Sequence, residues 1–303
     1  MVEIKNLTKY YGQKAAVKNI SFTVEDHEIL GFLGPNGAGK STTMNIICGV
    51  IPSSSGTVTI NGFDIAKDPI KAKRHIGFLP EIPPVYPDMK VKEYLTFVAG
   101  LKGVPGVKRK AQVAKAMDRL RITDVAGRLI RNLSKGYRQR VGFAQALLGE
   151  PDVLILDEPI NALDPEGIRE MRTLFQRLNQ EDGTTIFISS HILSEVDLLA
   201  DTIGIIQHGK LLTELPIEEI HKHQTDYISL QVDDVTRVAA LLENMRITNF
   251  SVLDKEFIHI YDSDISGKAL SKAIIENGIG LESMGRKQDT LEDFFFKLTE
   301  EEK

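Results

Sequence analysis

One glycine-rich segment after an apolar run limits the folds open to this chain. Residues 34–41 read Gly-Pro-Asn-Gly-Ala-Gly-Lys-Ser, the pattern G-x-x-x-x-G-K-[ST], and the preceding residues 28–33 predict a short buried strand. The residues from about Lys40 to Gly49 favour a helix. Glycines at such a bend let backbone N–H groups turn inward, and the helix start adds a positive end. The segment predicts an α/β fold with a phosphate-binding loop. The strand and helix around it disfavour a glycine-rich turn that only caps a helix.

The side chains at the end of this loop suit a nucleoside triphosphate. We expect Lys40 to supply a positive charge to the β- and γ-phosphates and Ser41 to offer its hydroxyl to Mg²⁺. The predicted contacts to the nucleotide run through the whole loop: Gly34, Pro35, Asn36, Gly37, Ala38, Gly39, Lys40, Ser41 and Thr42.

Two carboxylates follow a second apolar run. Residues 153–156 lead into Asp157 and Glu158, which is typical of a strand buried on both faces of a parallel sheet. Ligands bind at the carboxyl ends of such strands. We therefore expect Asp157 to belong to the Mg²⁺ shell and Glu158 to accept a proton from attacking water. The alternative is an ordinary polar loop after a buried strand.

His191 stands at the end of the next predicted strand, residues 185–189. A lone histidine is usually structural, but its place at the ligand-binding edge after two catalytic motifs favours a functional role. Between these strands, Asp164 followed by Pro165 predicts the start of a helix.

A helical block separates the first strands from the carboxylate strand. Four closely spaced prolines before it predict a stiff surface loop. Residues 91–148 then show helical periodicity, with Leu95, Val98 and Leu101 on one face. The order predicts a helical insert, about residues 82–148, within an α/β domain.

Ser134 predicts the start of the last helix in this block. Gly136 leaves backbone N–H groups of the first turn accessible, which offers a second place to bind phosphate. An ordinary helix start is the alternative. Further upstream, Tyr11 lies one strand ahead of the phosphate loop and could stack on an adenine ring; the alternative is a half-exposed tyrosine at a strand end.

The character of the chain changes after Pro216. The remaining residues predict the order β-α-β-β-α-β, which is ferredoxin-like, with a last strand near residues 280–282. A final helix carries Leu291, Phe294 and Phe295 on an apolar face that we expect to dock on a neighbour. The tail shows no catalytic cluster.

Bulk properties narrow the function classes. A chain of 303 residues predicts one large and one small domain. The net charge of -5 argues against a nucleic-acid-binding surface. Cys48 is the single cysteine, so an intrachain disulfide is impossible and a reducing compartment is expected; we expect Cys48 to be a small core residue. The first residues do not resemble a signal peptide, and no apolar run approaches the roughly 20 residues of a membrane span.

Taken together, the motifs resemble the ATP-binding subunit of an ABC transporter over residues 1–215. They are the loop 34–41, the signature 133–139, the strand ending in Asp157-Glu158, the loop 161–164 and His191. The fold implied is a P-loop NTPase of ABC type with a helical insert. The tail, residues 216–303, with Thr-Leu-Glu-Asp-Phe-Phe at 290–295, resembles the accessory domain of the ABC-2 exporter branch, which includes drug-resistance, sodium-export and gliding-motility ATPases.

The resemblance implies further roles. ATP with Mg²⁺ would lie between two copies of the chain, and Ser134 and Gly136 of one copy would cover the γ-phosphate held by the other. Asp164 would also contact the nucleotide. Glu81 would join Ser41 and Asp157 around the metal and also contact the nucleotide. Two departures stand out: Glu81 replaces the family's usual Gln, which should alter metal binding, and Asn161-Ala162 replaces its Ser-Gly at the dimer contact.

The implied partners are a second copy and an integral membrane permease, with no nucleic acid. The implied location is cytoplasmic and peripheral, at the inner face of the cell membrane. Three alternatives remain: a soluble ABC-type ATPase without a membrane partner, working in DNA repair or translation; a regulatory module that binds nucleotide without hydrolysis; and an importer subunit.

Overall fold

The phosphate loop leaves the middle of a six-stranded sheet. We use a computed structural model that describes residues 1–161, 163–222, 226–262 and 265–300, without the side chains at 296, 297 and 300. From one edge to the other the strands are Lys210–Pro216 (β10), Thr202–Gln207 (β9), Ile29–Leu33 (β3), Thr185–Ser190 (β8), Val153–Asp157 (β7) and Ile76–Leu79 (β6). All neighbours run parallel except β10 and β9, which form an antiparallel hairpin at one edge.

The central strands of this sheet are buried on both faces. Every residue of β3, β7 and β8 is buried, as the unbroken apolar runs predict. Alternate residues serve two cores: Leu154 and Leu156 pack with the helices of one side, whereas Val153 and Ile155 pack with the strands of the other. The sheet is therefore the middle layer of the first part of the chain.

An antiparallel sheet forms the layer that Val153 and Ile155 face. In spatial order its strands are Lys14–Val24 (β2), Val2–Tyr11 (β1), Ser55–Ile60 (β4) and Phe63–Asp64 (β5). The helices Lys40–Ile47 (α1) and Pro69–Arg74 (α2) belong to the same region. Cys48 is buried in this core, which confirms its predicted role as a small core residue.

The predicted helical insert is confirmed between β6 and β7. Its helices are Val91–Leu101 (α3), Gly106–Arg119 (α4) and Lys135–Leu147 (α5), with short 3-10 turns at Thr123–Val125 and Ile130–Asn132. Leu95 is buried and Val98 is partly buried, but Leu101 is 71% exposed. Leu101 is exposed because α3 ends there and the chain turns away at Gly103, whose φ is +76°.

Three further helices follow the carboxylate strand: Pro165–Gln180 (α6), Leu193–Asp197 (α7) and Ile217–Lys222 (α8). The described chain divides into two units after Ile217. Ala162, part of the predicted loop 161–164, lies outside the described residues. Across the residues that are described, no helix combines the length and hydrophobicity that crossing a bilayer requires.

The second unit has the predicted ferredoxin-like order. Its elements are Asp226–Val232 (β11), Val235–Asn244 (α9), Phe250–Val252 (β12), Phe257–Ile260 (β13), Gly267–Glu276 (α10), Leu281–Gln288 (β14) and Leu291–Glu300 (α11). The strands form an antiparallel sheet in the order β12-β13-β11-β14 around a core of its own. The last strand is longer than the predicted 280–282. Leu291 and Phe295 of the apolar α11 face are buried.

Candidate active site

The phosphate loop fits its surroundings only with glycine at two positions. A Cβ atom at Gly34 would lie 2.3 Å from the carbonyl oxygen of Ile206 on β9, and one at Gly39 would lie 2.6 Å from that of Ala16 on β2. Gly39 also has a φ of +116°, in the left-handed region that favours glycine. The bend is thus pressed between two strands, with its backbone fixed.

Lys40 points back over this loop. Its side chain is only 7% exposed, and its Nζ donates to the carbonyl oxygens of Gly34 at 2.7 Å and Pro35 at 3.4 Å. The same Nζ lies 3.8 Å from Oε1 of Glu158. The buried ammonium is therefore held at the loop and can neutralise an anion bound there.

The start of α1 is open to an anion. Within the described chain no side chain caps this helix at Gly39, although an orphan N–H group at a helix start usually finds a partner. Thr43 donates through Oγ1 to the carbonyl oxygen of Gly39 at 3.0 Å, which stabilises the bend without using those N–H groups. A phosphate group would fit here by charge and by hydrogen bonding.

The two carboxylates end β7 beside β8. Asp157 is 2% exposed, and its Oδ1 accepts a hydrogen bond from Oγ of Ser189 at 2.6 Å. Glu158 follows with a φ of +49°, an unusual conformation for a residue with a side chain, which clusters at functional sites. This turn sends the Glu158 side chain toward the loop rather than along the strand.

The fold brings Glu158 and His191 together. The Nδ1 atom of His191 lies 2.9 Å from Oε2 of Glu158, and the backbone N–H of His191 donates to the same oxygen at 3.3 Å. The Glu158 side chain is buried, whereas the imidazole is more than half exposed. The imidazole can therefore reach a bound molecule while it holds the carboxylate.

A cleft of about 410 Å³ gathers most of the predicted residues. Its walls are formed by Ala16, Pro35, Asn36, Gly37, Gly39, Lys40, Ser41, Thr42, Glu81, Glu158, Asn161 and His191. Gly34, Ala38 and Asp157 are not among the residues that line it. A loop, a strand end and a histidine from three separate parts of the sequence thus face one space.

Besides Gly34 and Ala38, four predicted nucleotide contacts do not line this cleft: Tyr11, Ser134, Gly136 and Asp164. Tyr11 is 53% exposed at the end of β1, with the Lys9 ammonium 5.3 Å from its ring centre. Ser134 and Asp164 are the helix caps predicted for them, because their side chains accept the backbone N–H groups of Tyr137 at 3.2 Å and Gly167 at 2.8 Å.

Three residues near the carboxylates were missed from the sequence. Ser189 contacts both of them, as described above for Asp157, and accepts the N–H of Glu158 at 3.0 Å. Gln139 of α5 is buried and donates through Nε2 to the carbonyl oxygen of Pro159 at 3.3 Å. Ala16 lines the cleft. Only Gln139 could have been found from the sequence, because it lies in the signature 133–139. The positions of Ser189 and Ala16 depend on which strands pair.

Comparison with known proteins agrees with this geometry. Residues 17–161 match the ABC transporter family. The uncharacterized ABC transporter ATP-binding protein YcbN of Bacillus subtilis (strain 168) is 39% identical over 299 residues, 98% of this chain and 96% of that protein. The bacitracin transport ATP-binding protein BcrA of Bacillus licheniformis is 37% identical over 299 residues, 98% of this chain and 97% of that protein.

A solved structure is similar over most of the first unit. It is a dimeric ATP-binding cassette in a post-hydrolysis state bound to ADP and Pi, 26% identical with a TM-score of 0.67, covering 72% of this chain and 99% of that chain. The first unit therefore has the fold of an ATP-binding cassette that was solved with the products of ATP hydrolysis bound. This chain belongs to the ATP-binding proteins of the ABC transporter family, and it binds and hydrolyses ATP.

Proposed function

We propose that two copies of this chain close face to face around two ATP molecules, and that closure drives transport by a separate membrane subunit. The observation that carries the proposal is the cleft that gathers Lys40, Ser41, Glu158 and His191. It joins an anion site to a base and to a residue that orients the base. Such a set suits phosphoryl transfer to water.

In this proposal the phosphate loop holds the triphosphate and Mg²⁺ joins it. Ser41 and Glu81 line the cleft, and Asp157 ends the strand directly before Glu158, so the side chains available to the metal all offer oxygen, the donor that Mg²⁺ takes. Bound Mg²⁺ neutralises charge on the phosphate oxygens and helps to orient them. Glu81 brings a full negative charge where the family resemblance implies an amide, and it is exposed on the rim of the cleft.

Glu158 acts as the general base. Its carboxylate accepts a proton from the water that attacks the γ-phosphorus; the new P–O bond forms as the bond to the β-phosphate oxygen breaks, and ADP leaves. His191 holds Glu158 through Oε2 and contacts the γ-phosphate through the exposed part of its ring. A positioned general base contributes about 10²–10⁴ in rate.

The second copy completes the site. Ser134, Gly136 and Asp164 do not line the cleft of their own chain, and Ser134 and Asp164 are exposed, which supports a role at the nucleotide of the partner. Ser134 and Gly136 cover the γ-phosphate from there with hydroxyl and N–H donors at a helix start. Tyr11 stacks on the adenine ring.

The membrane partner is a permease at the inner face of the cell membrane, and the direction is export. Full-length similarity to the bacitracin transport protein BcrA supports this, as does 36% identity over 214 residues to the lantibiotic transport ATP-binding protein SrtF of Streptococcus pyogenes. We therefore propose peptide antibiotics as the transported class. A soluble ABC-type ATPase without a membrane partner is the alternative.

Replacing Glu158 tests the catalytic part of this proposal. Glu158→Gln keeps the size of the side chain but removes the base, so we expect ATP binding to persist, an ATP-dependent dimer to accumulate in light scattering, and turnover to fall by about 10²–10⁴. Glu181→Gln, an exposed position after α6, is the matched control and should behave like wild type. Unchanged turnover in Glu158→Gln would remove Glu158 from the role of base.

A further inference from the structure

Ser189 lies where the carboxylate strand and its neighbour end side by side. The parallel register of β7 and β8 pairs Asp157 with Ser189, so their side chains point to the same face of the sheet. Ser189 has no exposed surface. A hydroxyl at such a position carries an energetic cost unless it is hydrogen-bonded, and both of its hydrogen bonds go to the catalytic turn.

The direction of these two bonds follows from their chemistry. The backbone N–H of Glu158 can only donate, so Oγ of Ser189 accepts it at 3.0 Å. The single hydroxyl proton of Ser189 is then free for Asp157, whose Oδ1 lies at 2.6 Å. A bond from a hydroxyl to a carboxylate is short and strong. One buried oxygen thus joins the side chain of one acidic residue to the backbone of the next.

The first bond fixes the orientation of Asp157. With Oδ1 engaged by Ser189, the carboxylate plane cannot rotate freely, and Oδ2 is the oxygen left to face a cation or its water shell. The second bond fixes the backbone at Glu158, whose φ of +49° is intrinsically unfavourable for a residue with a side chain. His191 holds the other end of the same residue, so the unusual turn is restrained on both sides.

We propose that Ser189 is a positioning residue for hydrolysis: its hydroxyl sets the orientation of Asp157 toward the metal and holds the turn that aims Glu158 at the γ-phosphate. The proposal rests on the roles of Asp157 and Glu158 given above. In this proposal Ser189 does not touch the nucleotide, so ATP binding does not depend on its hydroxyl.

Removing the hydroxyl separates this role from simple support of the strand. In the full-length protein, Ser189→Ala should lower kcat about 10- to 100-fold, the effect of losing one or two hydrogen bonds to charged or buried groups. The dissociation constant for a fluorescent ATP analogue should stay close to that of wild type. The Mg²⁺ concentration that gives half-maximal turnover should rise, since Asp157 is no longer oriented.

The matched control lies on the same strand. Thr185 at the opposite end of β8 is also buried, and its Oγ1 accepts the N–H of His27 at 2.9 Å. Thr185→Val removes a buried hydroxyl at equal volume, far from the carboxylates. It should lower the melting temperature about as much as Ser189→Ala does, but leave kcat and the Mg²⁺ dependence at their wild-type values. Ser189→Cys keeps the volume with a weak donor, so it carries the same test if Ser189→Ala does not fold.

Two results would overturn the inference: a Ser189→Ala protein with wild-type kcat and Mg²⁺ dependence, or equal losses of kcat in Ser189→Ala and Thr185→Val. Failure of the underlying catalytic assignment looks different. In that case Glu158→Gln would itself keep its turnover, whereas failure of the Ser189 role alone leaves Glu158→Gln inactive.

Discussion

Oε2 of Glu158 lies 2.9 Å from Nδ1 of His191 and also accepts the backbone N–H of His191. The other oxygen of the same carboxylate, Oε1, lies 3.8 Å from Nζ of Lys40. One end of the carboxylate is thus held by the histidine while the other faces the phosphate loop. This arrangement makes the contributions of the three side chains separable by mutation.

Truncation of His191 should impair turnover through Glu158. We expect His191→Ala to lower kcat about 10- to 100-fold, since a hydrogen bond to a charged group contributes roughly 1.5–3 kcal/mol, with little change in ATP affinity. Residues that act as a unit are non-additive, so the double variant with Glu158→Gln should be no slower than Glu158→Gln alone. Steady-state ATPase assays measure this, with exposed His208→Asn as control. Fully additive losses would mean that the two residues act independently.

Lys40 should govern nucleotide affinity rather than turnover alone. Lys40→Ala removes the buried ammonium at the loop, and we expect ATP affinity to fall about 10- to 100-fold or more, as for loss of a charged hydrogen bond. Equilibrium dialysis with labelled ATP measures it. Lys67→Ala, an exposed lysine, should bind normally. Normal ATP binding by Lys40→Ala would contradict the assignment of the loop.

Mixing two inactive variants tests whether the partner completes the site. Lys40→Ala disables the loop, and Gly136→Glu puts a negative charge where a phosphate should sit. If each site combines the loop of one copy with Gly136 of the other, a mixed dimer retains one intact site. We therefore expect ATPase activity to appear on mixing the two proteins, although neither is active alone. No recovery, with mixed dimers shown by co-purification of two tags, would place both groups in one chain's site.

Lys102 should make stability depend on pH. Its Nζ donates to the carbonyl oxygens of Ala146 and Leu148 at the end of α5, and burial lowers the pKa of this amine from 10.5 to about 8. Between these values the unfolded chain keeps a proton that the folded chain has lost, so stability rises with pH. The slope is at most about 1.4 kcal/mol per pH unit.

Urea unfolding of wild type and Lys102→Met at pH 7.5, 8.5 and 9.5 checks this. The free energy of unfolding of wild type minus that of Lys102→Met should become more positive as pH rises. Burial, reinforced by the charge of Asp157, raises the pKa of the Cys48 thiol, which gives the opposite slope, but it acts equally in both proteins. Exposed Lys110→Met should show no such trend; a constant difference between Lys102→Met and wild type would exclude the effect.

The exposed loop before α3 should contact the membrane subunit. Ile82 and Tyr86 are exposed apolar residues there, and such residues favour interfaces. Changing Ile82→Ser and Tyr86→Ser should abolish co-purification of the permease and leave the ATPase activity of the isolated subunit unchanged. Val107→Ser, exposed at the start of α4, serves as control. Retained pull-down by the double variant would move the contact elsewhere.

Local patterns in the sequence predict much of this molecule, and non-local contacts account for the rest. The bend at Gly39, the caps at Ser134 and Asp164, and the buried β7 run follow from nearest neighbours, so they could be predicted. The role of Ser189 could not be predicted, because it depends on the register between β7 and β8. The exposure of Leu101 could not be predicted either, since helical periodicity does not show where α3 ends.

The hydrogen bond from Gln139 to the carbonyl oxygen of Pro159 has a mechanical consequence. It fastens the helix that starts at the signature to the residue directly after Glu158. If a membrane subunit rotates the insert, this hydrogen bond would pull on Pro159 and so shift Glu158 relative to the attacking water. The movement of the membrane subunit and the cleavage of ATP would then be coupled through the single hydrogen bond from the Gln139 side-chain amide.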